Sequence, residues 1–131
     1  MKYLLDTSVF LWMAGFVQRL NSQARALLAE GDKEVYLSSA SSWEIAIKSA
    51  LGKLDLPEAP RQYVLRRLSD FSIRSLPITH EHSFATGSLP HVHDDPFDRM
   101  LIAQAKVERM VLLTADKVFR RYPIEILWVG K

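Results

Sequence analysis

The chain has 131 residues and no cysteine, and its 17 basic and 15 acidic residues give a formal charge of +2. A hydrophobic fraction of 48% is enough for a packed core, so the composition excludes a disordered tail, and the length predicts one domain over residues 1–131. Without cysteine, a disulfide framework, a thiolate zinc site and a thiol nucleophile are excluded.

Apolar periodicity predicts an alternation of short strands and longer helices. In chain order we expect a strand at 3–5, helices at 9–14 and 22–29, a strand at 34–38, helices at 40–51 and 60–68, a strand at 73–78, helices at 79–89 and 96–109, a strand at 111–113, a helical turn at 115–121 and a strand at 124–129. This pattern predicts an α/β fold with a parallel sheet covered by helices on both faces. Such sheets bind ligands at the carboxyl ends of their strands.

The sequence contains no stretch near the roughly 18 apolar residues of a membrane span. Asp6 interrupts the short apolar run at the start, which argues against an export signal. We therefore expect a cytoplasmic protein without a membrane partner. The pI near 9.0 is compatible with an anionic partner but does not identify nucleic acid.

Four carboxylates follow predicted strands or lie in the first turns of the next helices: Asp6, Glu44, Asp98 and Asp116. Aspartate is also a favoured helix N-cap, so Asp6 and Asp116 have an ordinary explanation as caps. Together these positions place up to four acids along one edge of the parallel sheet.

Glu44 has two structural alternatives, a capping box with Ser41 and an i,i+4 pair with Lys48. At about 100° per residue, however, Glu44 borders the apolar stripe of its helix rather than opposing it. A functional role is therefore favoured over capping.

Asp98 would occupy the third position of a helix that Asp95 caps and Pro96 begins, where a carboxylate suits the helix dipole. The residue nevertheless shares a face with apolar side chains such as Leu101 and Ile102. A carboxylate on such a face is costly unless another group pairs with it.

Clustered carboxylates repel each other and bind protons unless a cation compensates their charge. Mg²⁺ fits such a cluster best, because it takes oxygen ligands and keeps several waters, and Mn²⁺ prefers similar ligands. An ion of this kind can activate a water and stabilise the leaving oxygen in phosphate-ester hydrolysis.

The motifs that carry these acids occur in the order Leu4-Leu5-Asp6-Thr7-Ser8, Ser42-Trp43-Glu44-Ile45-Ala46, Asp95-Pro96-Phe97-Asp98-Arg99 and Leu113-Thr114-Ala115-Asp116. Together they resemble a PIN domain, and more narrowly a VapC-type toxin of a type II toxin–antitoxin pair. The resemblance implies a three-layer α/β/α sandwich and a Mg²⁺-dependent single-strand ribonuclease. It also implies a homodimer and inhibition by a cognate VapB-type antitoxin.

By this resemblance, Asp6 and Asp98 are the central metal ligands, and Glu44 and Asp116 complete the cluster. Ser8 stands where relatives often have Asn or His. This difference puts in doubt only the hydrogen bond by which the residue would orient a metal-binding carboxylate or a water. Asp95, Thr114 and Arg99 are auxiliary candidates: Asp95 as a further ligand or cap, Thr114 as an orienting or strand-end hydroxyl, and Arg99 facing RNA or pairing with Asp95.

An RNA substrate requires a basic rim, and the nine candidates for it are Lys48, Lys53, Arg61, Arg66, Arg67, Arg99, Lys117, Arg120 and Arg121. Most of them are as well explained by solvated helix faces. The resemblance makes transfer or ribosomal RNA a possible substrate, and the sequence does not choose between them.

Other readings stay open on the sequence alone. The segment His91-Val92-His93-Asp94-Asp95 is similar to the start of a zinc hydrolase motif, although Pro96 stands where that motif needs another histidine. A haloacid dehalogenase-like phosphatase would need an aspartate in place of Ser8. A receiver-like signalling module would need an aspartate after the third strand. A PIN-like chain that only binds RNA or a partner is also possible.

Overall fold

The computed structural model describes residues 1–131 and contains one parallel sheet. Its strands are β1 (Lys2–Leu5), β2 (Glu34–Ser38), β3 (Arg74–Leu76), β4 (Val111–Thr114) and β5 (Ile126–Trp128). They lie side by side in the order β3-β2-β1-β4-β5, and every neighbouring pair is parallel. The first strand of the chain therefore lies at the centre of the sheet.

Helices cover both faces of this sheet. They are α1 (Thr7–Gly15), α2 (Ser22–Ala29), α3 (Ser39–Ala50), α4 (Pro60–Asp70), α5 (His80–Thr86) and α6 (Pro96–Glu108), with 3₁₀ turns at Val17–Arg19 and Lys117–Arg121. The expected α/β/α sandwich with a central parallel sheet is confirmed.

The two central strands show the consequence of being covered on both sides. Neighbouring side chains of a strand point to opposite faces, and Leu4 and Leu5 of β1 belong to two separate hydrophobic clusters. Leu112 and Leu113 of β4 pair with them and divide in the same way. All four are fully buried, which explains why these strands are continuous apolar runs.

The strand order changes direction beside β1, which makes this the topological switch point of the sheet. From β1 the chain moves outward through β2 to β3, and then returns across the sheet to β4 and β5. In open parallel sheets the crevice at such a reversal is where ligands bind, outside the carboxyl ends of the strands. Asp6, the residue after β1, lies in this crevice and donates its backbone N–H to the Leu113 carbonyl at 3.0 Å.

Element boundaries differ from the expectation mainly at the sheet edges. The strand expected at 73–78 is confined to Arg74–Leu76, and the strand expected at 124–129 to Ile126–Trp128. The helix expected at 79–89 ends at Thr86. Each edge strand pairs with one neighbour and stops level with its carboxyl end, Leu76 opposite Ser38 and Trp128 opposite Thr114, and apolar character does not reveal these end points.

The strand order also bears on the receiver-like alternative. A receiver has the order 2-1-3-4-5, whereas the order here is 3-2-1-4-5. The signalling-module reading is therefore not supported. None of the helices has the length and apolar character needed to traverse a lipid bilayer.

The burial of β4 on both faces predicts the effect of shortening its side chains. Leu112→Ala and Leu113→Ala should each lower the free energy of unfolding by about 2–5 kcal/mol, since each leaves a cavity in one of the two cores. Leu65→Ala is the matched control, because Leu65 is 50% exposed, and it should change stability by about 0.5 kcal/mol or less. Urea unfolding measures all three. If either β4 variant behaves like the control, one face of the sheet is not covered as described.

Candidate active site

Asp6 is the buried centre of the acidic edge, with 6% of its surface exposed. It stands at the N-cap position of α1, yet its side chain makes no capping hydrogen bond. Instead the Thr114 hydroxyl at the end of β4 donates to Asp6 Oδ2 at 2.9 Å. The capping explanation of Asp6 is therefore wrong, and its carboxylate is available at the edge of the sheet.

Thr114 joins Asp6 to a second acid. Its hydroxyl oxygen accepts the backbone N–H of Asp116 at 3.0 Å while its proton goes to Asp6. Of the two expectations for Thr114, an orienting hydroxyl and a strand-end hydroxyl, the structure supports the first. Asp116 also caps the following 3₁₀ turn by accepting the Val118 N–H, so its capping explanation holds.

An open cavity of about 430 Å³ adjoins these two acids. Its lining comprises Asp6, Ser8, Trp12, Ala115, Asp116 and Lys117. Ser8 is exposed, and its hydroxyl makes no hydrogen bond to Asp6 or Asp116. Ser8 thus reaches the cavity without the orienting contact that an auxiliary residue would make.

Glu44 is buried on α3, with 6% of its surface exposed. The helix begins at Ser39 and Ser38 is its N-cap, so the capping box expected between Ser41 and Glu44 is wrong. Ser41 instead accepts a hydrogen bond from the Thr7 hydroxyl at 2.8 Å, which ties α3 to α1. The expected i,i+4 pair is present, with Lys48 Nζ at 2.5 Å from Glu44 Oε2.

Asp98 lies in the first turn of α6, as expected. Asp95 caps this helix by accepting the N–H groups of Phe97 and Asp98 at 2.9 and 3.0 Å, which accounts for Asp95 as a cap. The partner of the Asp98 carboxylate is His93, whose Nε2 is 3.0 Å from Oδ2. Sequence reasoning connected His93 with zinc and not with Asp98, although these two residues are only five positions apart.

The four acids lie near enough for their charges to act on one another. Burial raises the pKa of Asp6 from 3.8 to about 7, and the carboxylates of Asp98, Asp116 and Glu44 raise it further against the opposing hydrogen bond from Thr114. Burial likewise raises the pKa of Asp98 to about 6, with His93 opposing and Asp95 and Glu44 adding to the shift. The excess negative charge at this edge is thus incompletely compensated by the chain itself.

A hard divalent cation fits this donor set, because carboxylate oxygens in an anionic pocket are the ligands that Mg²⁺ and Mn²⁺ prefer. No three carboxylate or imidazole groups are close enough together in the structure to share one ion. Binding of an ion at this edge therefore requires some of these side chains to move together.

Arg99 has partners other than those expected. Its guanidinium donates to the carbonyls of Pro90 and Thr86 and to the Tyr122 hydroxyl, at 3.0–3.1 Å. It does not pair with Asp95, so that expectation is wrong, whereas a contact of Arg99 with RNA stays a prediction. These partners are 9 to 23 positions away from Arg99, so local sequence patterns do not indicate them.

The histidines do not assemble a zinc site. His91 Nε2 contacts the exposed Asp94 at 2.7 Å, whereas His93 turns toward Asp98 and Tyr122. These two side chains therefore have separate partners, which argues against the zinc hydrolase reading.

Comparisons with known proteins agree with this architecture. The PIN domain family model matches residues 3–125. Ribonuclease VapC16 of Mycobacterium tuberculosis is 37% identical over 62 residues, which are 47% of this chain and 44% of that protein. The matched region thus spans less than half of the curated relative.

Two solved structures share the fold over nearly their whole length. VapBC2 from Rickettsia felis, bound to a DNA fragment from their promoter, gives a TM-score of 0.75 with 19% identity, covering 98% of this chain and 99% of that chain. FitAcB from Neisseria gonorrhoeae gives 0.66 with 21% identity and 96% coverage of both chains. At these identities the likeness establishes the fold alone.

The raised pKa of Asp6 predicts how stability of the metal-free protein depends on pH. Between about pH 4 and 7 the folded protein holds a proton on Asp6 that the unfolded chain releases, so the Asp6 contribution to the unfolding free energy falls as pH rises. Asp6→Asn removes this charge and should stabilise the metal-free protein by roughly 2–4 kcal/mol at pH 8.

Thermal and urea unfolding across pH 4–8 in EDTA measure this effect. Asp32→Asn, at an exposed aspartate, is the control and should follow the parent at every pH. If the parent and the Asp6→Asn variant are equally stable at pH 8, the buried charge of Asp6 is compensated within the protein and the prediction is wrong.

Proposed function

The chain belongs to the PIN domain family, and we propose that it is a Mg²⁺-dependent, single-strand-specific endoribonuclease acting in the cytoplasm as the toxin of a type II toxin–antitoxin pair. The observation that carries this proposal is the buried Asp6 carboxylate in the crevice beside β1, with Asp116 lining the same cavity and the charges of Asp98 and Glu44 near enough to act on it. Asp6 and Glu44 are the buried members of the four, and burial raises the pKa of Asp6, with the charges of the other three acids adding to the shift. Such an arrangement is costly for stability and is explained by a bound cation.

In this proposal Asp6, Asp98 and Asp116 hold the ion, with Glu44 close by, and Mn²⁺ is a possible substitute. When bound, Mg²⁺ supplies Lewis-acid stabilisation of a phosphoryl oxygen and lowers the pKa of water. The zinc, phosphatase and receiver alternatives each lack a residue or a topology that they require.

The chain's own residues would orient the reacting groups. Thr114 holds the Asp6 carboxylate in place, and His93 holds that of Asp98. One of these carboxylates accepts the proton of the attacking water as the water approaches phosphorus in line with the leaving oxygen. The products expected from such hydrolysis are a 5′-phosphate and a 3′-hydroxyl.

Basic groups beside the acids suit a polyanionic substrate. Lys117 lines the same cavity as Asp6 and Asp116 and is a candidate for a phosphate contact. In the same 3₁₀ turn, the Arg120 guanidinium lies 4.1 Å from the centre of the Trp128 ring. Arg66 and Arg67, by contrast, form ion pairs with Glu58 and are less suited to binding RNA.

A cognate VapB-type antitoxin and a second copy of the chain are the proposed protein partners. The solved structures that share this fold include toxin–antitoxin assemblies, which supports an antitoxin partner. Trp43 is 60% exposed and packs edge-to-face on Phe97, with ring centres 5.2 Å apart. An exposed tryptophan supported in this way by a half-buried phenylalanine suits a homodimer contact.

The proposed activity predicts metal-dependent cleavage that requires the buried acids. Purified protein is incubated with total cellular RNA in Mg²⁺ or in EDTA, and the new 5′ ends are sequenced. The parent and Asp32→Asn should produce 5′-phosphate ends at a restricted set of sites, in transfer RNA, ribosomal RNA or another RNA. Asp6→Asn and Asp98→Asn should lose cleavage while remaining folded, and EDTA should abolish it in all samples.

Two results would contradict the proposal. Cleavage by Asp98→Asn at the parental rate would remove that residue from the site. Cleavage in EDTA that leaves cyclic phosphate ends would indicate a reaction that uses the RNA 2′-hydroxyl in place of water.

A further inference from the structure

A chain of hydrogen bonds leads from Arg99 to the Asp98 carboxylate. Arg99 Nη1 lies 3.1 Å from the Tyr122 hydroxyl, which is 2.7 Å from His93 Nδ1, and His93 Nε2 lies 3.0 Å from Asp98 Oδ2. Tyr122 is 5% exposed and the side chains of His93 and Asp98 are 21% and 18% exposed. This series of hydrogen bonds is therefore shielded from solvent over most of its length.

The Tyr122 hydroxyl determines the direction of every bond in this chain. Its oxygen accepts two N–H groups whose polarity is fixed, from Arg99 and from the His93 backbone at 3.3 Å. A hydroxyl oxygen has two lone pairs, so both are used. The hydroxyl proton is left as the group that faces His93 Nδ1, and Tyr122 must donate to that nitrogen.

A neutral imidazole that accepts at one nitrogen carries its proton on the other. His93 therefore carries its proton on Nε2 and donates it to Asp98. The reverse tautomer would leave the Tyr122 proton without an acceptor, place a third donor on its oxygen, and set a bare nitrogen against a carboxylate. Each of these changes is unfavourable in a shielded site.

We propose that Arg99, Tyr122 and His93 are positioning residues that fix the Nε2–H tautomer of His93 and thereby orient the Asp98 carboxylate for the metal ion. One carboxylate oxygen is held by His93, and the other is left for ligation. This inference rests on the proposed function, in which Asp98 is a metal ligand. It also gives a role to Arg99, whose anchoring by Pro90 and Thr86 fixes its donor toward Tyr122.

The tautomer can be measured without any variant. In ¹⁵N-labelled, metal-free protein at a pH where the ring is neutral, the His93 Nδ1 signal should be that of an unprotonated nitrogen and the Nε2 signal that of a protonated one. Tyr122→Phe removes the donor to Nδ1 and should shift both signals toward an average of the two tautomers. An Nδ1–H tautomer in the parent protein would overturn the proposal.

Metal affinity provides the second readout, by calorimetry with Mn²⁺ in the absence of RNA. Tyr122→Phe and His93→Leu should each weaken Mn²⁺ binding by roughly 10-fold or more, as expected when a partner behind a ligand is lost. His93→Gln should retain most of the affinity, because its amide can accept from Tyr122 while donating to Asp98. Tyr36→Phe removes the hydroxyl of another partly buried tyrosine, which contacts Glu34, and should bind like the parent.

Failure of this inference is distinguishable from failure of the proposed function. If Tyr122→Phe binds Mn²⁺ within twofold of the parent while Asp98→Asn binds far more weakly, the positioning chain is wrong and the metal site stands. If Asp98→Asn binds Mn²⁺ like the parent, the proposed metal site is wrong, and the NMR measurement alone decides the tautomer. Circular dichroism of each variant confirms that the fold is retained.

Discussion

The burial of the Asp6 carboxylate at the end of the central strand is the constraint on which the rest of the site depends. Only 6% of Asp6 is exposed, and this burial raises the pKa of its carboxyl to about 7, with three further carboxylates adding to the shift. The hydroxyl of Thr114 opposes the effect only in part. Since an uncompensated buried charge is costly, the edge favours either a proton or a cation, and the two compete for the same oxygens.

The parallel topology explains how distant segments supply these groups. Asp6 follows β1 and Asp116 follows β4, the two strands that adjoin at the reversal of the sheet. Glu44 and Asp98 come from the early turns of α3 and α6, which begin near the same edge. Helices on both faces cover the strands, and Asp6 and Asp116 line the cavity at the strand ends. The fold therefore concentrates negative charge at one place.

Much of this organisation was predictable from residue patterns, because apolar runs and the acids that follow them are local signals. The sandwich is such a case, and the same local signals made the four acids candidates for the site. The local pair of Glu44 with Lys48 was predictable, but partners distant in sequence were not, since Thr114 and Asp6 are 108 positions apart and His93 and Tyr122 are 29 apart. The misplaced capping box of Glu44 has the same origin: α3 begins directly where β2 ends, at Ser39, and tertiary packing sets that point. Local sequence patterns therefore predicted the helices and strands, whereas tertiary packing determines the long-range side-chain contacts.

Binding of a divalent cation at the acidic edge beside β1 is tested by soaking a crystal of the protein in Mn²⁺ and measuring anomalous scattering, which locates such an ion directly. We expect a strong anomalous peak within ligand distance of Asp6 and Asp98, with Asp116 or Glu44 turned toward it. A peak confined to His91 and Asp94, or no peak at the strand ends at saturating Mn²⁺, would contradict it.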